Sequence, residues 1–219
     1  MTTSRPRFYV DSADVDAVSK LLAAGLVHGV TTNPTILERA GHSVAAMAHL
    51  YARWESEGAR EIFFQSWGSA ADELLAHADD ILALGSLAVV KVPATRAGFA
   101  AASALTLRGA PVLLTAVYSD AQALAAATIG VPYIAPYLGR LNDAGRDGLA
   151  EIGRMQALVA GSGTNVLAAS LRRPADIVDL ALLGVPYFTA APSVLLAALQ
   201  DDVSDRSAAE FEAAVARGL

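Results

Sequence analysis

The chain repeats one pattern eight times: a short apolar run of strand length, then a longer Ala- and Leu-rich stretch whose apolar positions recur with helical period. The strand candidates are RFYV (7–10), LVHGVT (26–31), EIFFQ (61–65), LAVVKV (87–92), PVLLTAV (111–117), PYIAPY (132–137), NVLAAS (165–170) and VPYFTA (185–190). Helical stretches at 14–24, 43–57, 70–84, 96–108, 119–129, 143–160, 174–183 and 193–200 follow them, and an amphipathic segment at 205–217 closes the chain. Eight strands each followed by a helix predict a parallel (β/α)8 barrel of the TIM type, small for its class, with an additional C-terminal helix. An open doubly wound sheet is the alternative. No low-complexity linker interrupts residues 1–219, so a single barrel domain is expected.

Composition narrows the function classes. With 54% hydrophobic residues in 219, the chain has enough apolar side chain for a sizeable core. A net charge of −6 argues against nucleic acid as a partner, because nonspecific binding needs clustered Lys and Arg. Without cysteine there is no disulfide, thiolate metal site or cysteine nucleophile. His28, His42, His49 and His77 follow no metal-site spacing, so no metal is expected. Residues 121–139 and 180–200 carry no charge, but prolines and glycines punctuate both, as in turns and short buried elements rather than membrane spans. The start MTTSRPR lacks the apolar core of a signal peptide, and a soluble, unprocessed protein compatible with the cytoplasm is expected.

In a barrel of this kind the C-terminal ends of the strands carry the chemistry. Read off in order, those ends hold Asp11, Thr31 with Asn33, Gln65, Lys91, Thr115, Tyr137 and Ser170. Lys91 is the most informative. It is one of two lysines among 16 basic residues, and it interrupts an apolar strand whose outer face should be covered by helices, so it must point into the barrel. Desolvation there favours the neutral amine, a nucleophile toward carbonyls. A structural lysine paired with Asp11 is the other reading of the same burial.

The segments YVDSADVDAV, GVTTNPTIL, VVKVPATRAGFAAASAL, TAVYSDAQALAAATIG, YIAPYLGRLND and LAASLRRPADIVDLALLG resemble, in order and spacing over residues 7–200, the motifs of the transaldolase family. The nearer likeness is to its small microbial branch, which includes fructose-6-phosphate aldolase and short-chain transaldolases. The resemblance implies that Lys91 forms a Schiff base with the keto group of a sugar phosphate, without cofactor or metal. It implies that Asp11 handles protons near the lysine, although an aspartate there also suits the N-cap of the next helix. Asn33 resembles the residue that holds substrate hydroxyl and carbonyl groups, with Thr31 in support, and Asn followed by Pro is in addition a good helix start.

Gln65, Thr115 and Tyr137 match the aldolase branch, where transaldolases are expected to carry Glu and Phe in place of the first and last. Gly139 and Arg172 look closer to short transaldolases, and the Ser-Trp-Gly after Gln65 is unusual. Arg140, Ser170 and Arg172 resemble the phosphate site, and Ala135, Ala168 and Ala190 fall near the mouth as small residues that make room for a ligand. The resemblance therefore implies a class I aldolase that cleaves the C3–C4 bond of fructose 6-phosphate into dihydroxyacetone and glyceraldehyde 3-phosphate. The alternatives are a transaldolase of the pentose phosphate pathway that passes the dihydroxyacetone unit to an aldose phosphate, and a barrel that only binds sugar phosphates. The partners expected are a sugar phosphate or dihydroxyacetone, no nucleic acid and no membrane. The terminal segment, with Phe211 and Val215 on one face, resembles the helix by which the family packs neighbouring subunits into a pentamer or decamer, although it lacks the Trp usual after the Phe.

Overall fold

The structure, a computed structural model, describes residues 5–218. Its strands are β1 (Arg7–Asp11), β2 (Gly29–Thr31), β3 (Glu61–Gln65), β4 (Ala88–Pro93), β5 (Val112–Val117), β6 (Tyr133–Pro136), β7 (Asn165–Leu171) and β8 (Tyr187–Ala190). Each pairs in parallel with its neighbours in sequence, and β1 also pairs with β8, Phe8 opposite Phe188, which closes the barrel. The open-sheet alternative is thereby excluded.

The helices are α1 (Val15–Ala23), α2 (Pro34–Arg39), α3 (Met47–Ser56), α4 (Ala71–Leu82), α5 (Arg96–Leu107), α6 (Asp120–Thr128), α7 (Leu138–Asp143), α8 (Gly148–Val159), α9 (Pro174–Leu182), α10 (Pro192–Ala197) and α11 (Asp202–Gly218). Two depart from the sequence reading. The short α2 forms directly after β2, because the Asn33 side chain accepts from the Ile36 N–H at 2.9 Å and Pro34 supplies a preset φ at the first helical position. The expected helix at 143–160 appears as α8, starting only at Gly148, and an additional short helix, α7, precedes it. The chain breaks at Gly145, whose φ of 72° suits glycine, and Asp147 caps α8 by accepting from the Ala150 N–H at 3.0 Å. Among the described residues, no helix is long and apolar enough to cross a membrane.

Strand alternation sorts the side chains into two layers. In β3, Ile62 and Phe64 pack outward under the helices, while Phe63 points inward. In β4, Val90 and Val92 pack outward and Val89 inward, which sends Lys91 inward as well. The barrel interior is filled by Tyr9, Phe63, Val89, Leu113, Ala135, Leu167, Ala169 and Tyr187, and the larger cluster lies between sheet and helices. Such an interior is a packed core, not a channel.

The N-terminal end of the barrel is sealed by polar groups around Glu61. Its carboxylate accepts from the Tyr9 and Tyr133 hydroxyls, the latter at 2.7 Å, and lies 3.8 Å from the Arg7 guanidinium, which sits over the Tyr187 ring. Burial and the adjacent carboxylate push both tyrosine hydroxyls above their ordinary pKa, so they stay protonated donors. Gly29 is required at this end: a Cβ there would lie 2.0 Å from the Glu61 carbonyl oxygen, so any side chain would force β2 away from β3. Truncating Glu61→Ala orphans two hydroxyls, each worth roughly 1–3 kcal/mol. It should lower unfolding stability by about 2–6 kcal/mol in urea titration.

Candidate active site

At the opposite end, the C-terminal ends of the strands open into a cavity of about 500 Å³. Asp11, Asn33, Gln65, Lys91, Tyr137, Arg140 and Ser170 all line it. Lys91 is 4% exposed, and its Nζ donates to the backbone carbonyl of Thr32 at 2.7 Å. Burial pulls its pKa below the ordinary lysine value, partly opposed by the negative charge of Asp11. Asp11 is the mirror case: burial raises its carboxyl above the usual range, while Lys91 and the Thr31 hydroxyl oppose that rise. Among the described residues no salt bridge joins the two, although their charges still act on one another. The low-polarity site disfavours both charges, and the amine faces the cavity with one neutral partner.

Thr31 and Thr115 stand just beneath the cavity wall. The Thr31 hydroxyl donates to Asp11 at 2.6 Å and lies 2.6 Å from the Thr189 hydroxyl, which orients the carboxylate. The Thr115 and Tyr137 hydroxyls are 2.7 Å apart. Burial raises the Tyr137 pKa, and Asp11 adds to the rise while the Thr115 bond and Arg140 oppose it, so the phenol remains a proton donor. Asp11 does not cap α1. That position belongs to Asp14, which accepts from the Ala17 N–H at 3.0 Å and leaves Asp11 to the cavity. Asn33 combines both expected roles, capping α2 while lining the cavity.

Two strand irregularities shape the mouth. The registers of β5 and β7 shift between Thr115 and Val117 and between Ala168 and Leu171, with Ala116 at φ 58° and Ser170 at φ 57°. Non-glycine residues held there cost of order 1–3 kcal/mol and gather at functional sites. In β7 the bulge brings both Ala169 and Ser170 to the cavity, whereas Ala168 and Ala190 face the outer core and Ala135 lies deeper in the barrel. The room at the mouth is thus made by Ala169, not by the three alanines expected from sequence. Gly139 allows α7 to press on this bulge, since a Cβ would lie 2.7 Å from the Ser170 carbonyl oxygen and 2.8 Å from Arg172 Nε.

Arg140 lines the cavity beside Ser170, but Arg172 does not line it. Its guanidinium is held by both oxygens of Asp143, at 2.8 and 2.6 Å, outside the cavity wall. Sequence reading also missed Pro34, Thr35, Ile36 and Arg39, which form the α2 wall. The Asn-Pro start was the available signal, since helical spacing from it puts Thr35 and Arg39 on one face. Among the described residues, no group of three or more His, Asp or Glu side chains is placed to hold a metal ion.

A closed (β/α)8 barrel with a buried lysine and convergent polar groups at its C-terminal mouth has the layout of a barrel enzyme. The sequence model of the family described as Transaldolase/Fructose-6-phosphate aldolase matches residues 8–217. A probable transaldolase of Maridesulfovibrio salexigens is 34% identical over 208 residues, covering 94% of this chain and 96% of the relative. One of Cereibacter sphaeroides is 36% identical over 217 residues, with 94% of each covered. The chain belongs to the transaldolase/fructose-6-phosphate aldolase family. Among solved structures, thiamine phosphate pyrophosphorylase from Pyrococcus furiosus superposes with a TM-score of 0.61 at 16% identity, covering 86% of this chain and 87% of that one. A putative dihydrodipicolinate synthase family protein from Coccidioides immitis gives 0.64 at 13%, covering 87% and 68%, and both show a shared fold alone.

The electrostatics of the lysine can be tested without substrate. Asp11 holds the Lys91 pKa up, so replacing Asp11→Asn removes that charge and the pKa should fall further. The pH dependence of Lys91 acylation by a small amine-selective reagent, followed by mass spectrometry, should move to lower pH. A move to higher pH would contradict the assignment.

Proposed function

We propose that the protein is a Schiff-base aldolase that cleaves and forms the C3–C4 bond of fructose 6-phosphate or a related ketose. The observation that carries the reading is Lys91, a buried amine with one backbone carbonyl as partner, at the floor of a cavity rimmed by Asp11, Gln65 and Tyr137. The amine adds to the C2 carbonyl and water leaves, giving an iminium. Asp11 takes the proton of the C4 hydroxyl, the C3–C4 bond breaks, and its electron pair passes into the iminium. Glyceraldehyde 3-phosphate departs, and an enamine of dihydroxyacetone stays on Lys91. Tyr137, held by Thr115 and kept protonated, supplies or relays the proton to C3 through water held near Gln65. Hydrolysis of the resulting iminium releases dihydroxyacetone.

Arg140 and Ser170 suit the substrate phosphate by charge and hydrogen bonding, and Asn33 its hydroxyl groups. In this reading Arg172 acts through Asp143 and its packing beneath Gly139 rather than by direct contact. The ligand is a small sugar phosphate or dihydroxyacetone and the setting cytoplasmic. The names of the relatives favour the second reading, a transaldolase that hands the same enamine to an aldose phosphate.

Glyceraldehyde 3-phosphate released from fructose 6-phosphate with no acceptor sugar separates the two. Many turnovers per subunit, absent in Lys91→Ala and at least tenfold slower in Tyr137→Phe, are expected. At most one equivalent would make the protein a transaldolase. A homo-oligomer belongs to the same proposal. No side chain of α11 is buried, and Phe211 is 69% exposed, so the helix leaves its apolar residues free for a second copy. Wild-type protein should sediment as a pentamer or decamer, and Phe211→Asp should shift it toward monomer.

A further inference from the structure

Asp11 is the one carboxylate that lines the cavity, and its two oxygens are not equivalent. Oδ1 accepts from the Thr31 hydroxyl at 2.6 Å, whereas Oδ2 has no protein donor among the described residues and is left to the cavity. The Thr31 hydroxyl has a second neighbour, the Thr189 hydroxyl, also at 2.6 Å. Both threonines are buried, at 1% and 2% exposure. Strand β1, which ends at Asp11, lies between β2 and β8, so closure of the barrel brings Thr31 and Thr189 together from its two sides. Thr189 belongs to no motif that the sequence reading singled out.

Counting hydrogens fixes the direction of this chain. A threonine hydroxyl carries one hydrogen, and an ionised carboxylate only accepts. The Thr31 hydrogen therefore lies toward Oδ1, and the Thr189 hydrogen must point to the Thr31 oxygen. Run from Thr189 through Thr31 to Asp11, every hydrogen has an acceptor. Run in reverse, with a proton on Oδ1, the Thr189 hydrogen has no acceptor among the described residues, and a buried donor without one is costly.

We propose that Thr189 is a positioning residue for proton transfer: by holding the Thr31 hydrogen on Oδ1, it leaves Oδ2 as the oxygen that takes the proton of the substrate's C4 hydroxyl. The proposal rests on the Schiff-base reading of Lys91 and Asp11. The C4 O–H proton moves to Oδ2 and the O–H pair becomes the carbonyl bond of the departing aldehyde. The C3–C4 bond breaks, and its pair passes into the iminium. The other titratable or charged groups that share the cavity with Asp11 are Lys91 on β4, Tyr137 after β6, Arg39 on α2 and Arg140 on α7. None of them bonds to the Thr31 or Thr189 hydroxyl among the described residues.

Thr189→Val and Thr189→Ser test this against wild type, since valine has the shape of threonine without the hydroxyl and serine keeps the hydroxyl. Without the Thr189 hydrogen, the Thr31 bond to Oδ1 weakens and Asp11 holds a proton more tightly. The acidic limb of kcat for fructose 6-phosphate cleavage should therefore move to higher pH in Thr189→Val. At neutral pH its kcat should fall roughly tenfold with KM within about twofold of wild type, and Thr189→Ser should restore both kcat and limb. Thr189→Ala, smaller and also without the hydroxyl, repeats the measurement where valine does not fit. Thr31→Val already breaks the chain, so adding Thr189→Val to it should change kcat by less than about twofold. Borohydride should trap a ketose adduct on Lys91 in every variant. An unchanged kcat and pH limb in Thr189→Val, an equal loss in Thr189→Ser, or losses that multiply in the double variant would overturn the role of Thr189 and leave the Schiff base intact. No Lys91 adduct in the wild type would overturn the Schiff-base reading itself.

Discussion

The structure depends on what a closed parallel barrel does with alternate side chains. Every second residue of each strand enters a small interior with little water, where an apolar group packs and a polar one must be partnered or be exposed at an end. The interior resolves this in three levels. Glu61 gathers tyrosine hydroxyls at one end, Tyr9, Phe63, Leu113 and Leu167 pack the middle, and Asp11, Gln65, Lys91 and Tyr137 line the cavity at the other. The ordinary burial of the middle level keeps water from reaching Lys91 from below.

That arrangement makes Lys91 what it is. The same desolvation that lowers its pKa raises those of Asp11 and Tyr137, so one physical cause disfavours the charged form of three groups within one cavity. Direct pairing of Lys91 with Asp11 would have stabilised the ammonium. The Thr31 and Thr189 hydroxyls hold the carboxylate, and the Thr32 carbonyl holds the amine, so the two stay in one site without neutralising each other.

The mouth is asymmetric because its loops differ. Bulges in β5 and β7 place Thr115 and Ser170, and the contact of Gly139 with the Ser170 backbone joins α7 to β7. The opposite wall is the single short helix α2, started by Asn33 and Pro34. The family's shared barrel and this chain's particular walls are therefore separable. The barrel supplies the lysine and its neighbours, and the walls add Arg39 and Arg140.

Much of the fold was legible in the sequence. Each strand appears where alternation or an apolar run put it, since burial on both faces leaves a local signature. Lys91 could be aimed inward from its neighbours alone, and Asp11, Asn33, Gln65, Tyr137 and Ser170 could be gathered at one mouth once the barrel was assumed, whereas Arg140 came only with the family resemblance. The closure of β1 on β8 was not local, and neither was the choice between Asp11 and Asp14 as helix cap, because both types suit the position. Arg172 shows the limit most plainly. Its type and place suggested a phosphate ligand, but Asp143, at the end of α7, takes the guanidinium. Arg39 shows the converse, an arginine unremarkable in sequence that reaches the cavity only through the turn of α2. Residue type and period are properties of the chain itself. Which charges find partners, and which stay free for a ligand, is decided only when distant strands and loops are brought side by side.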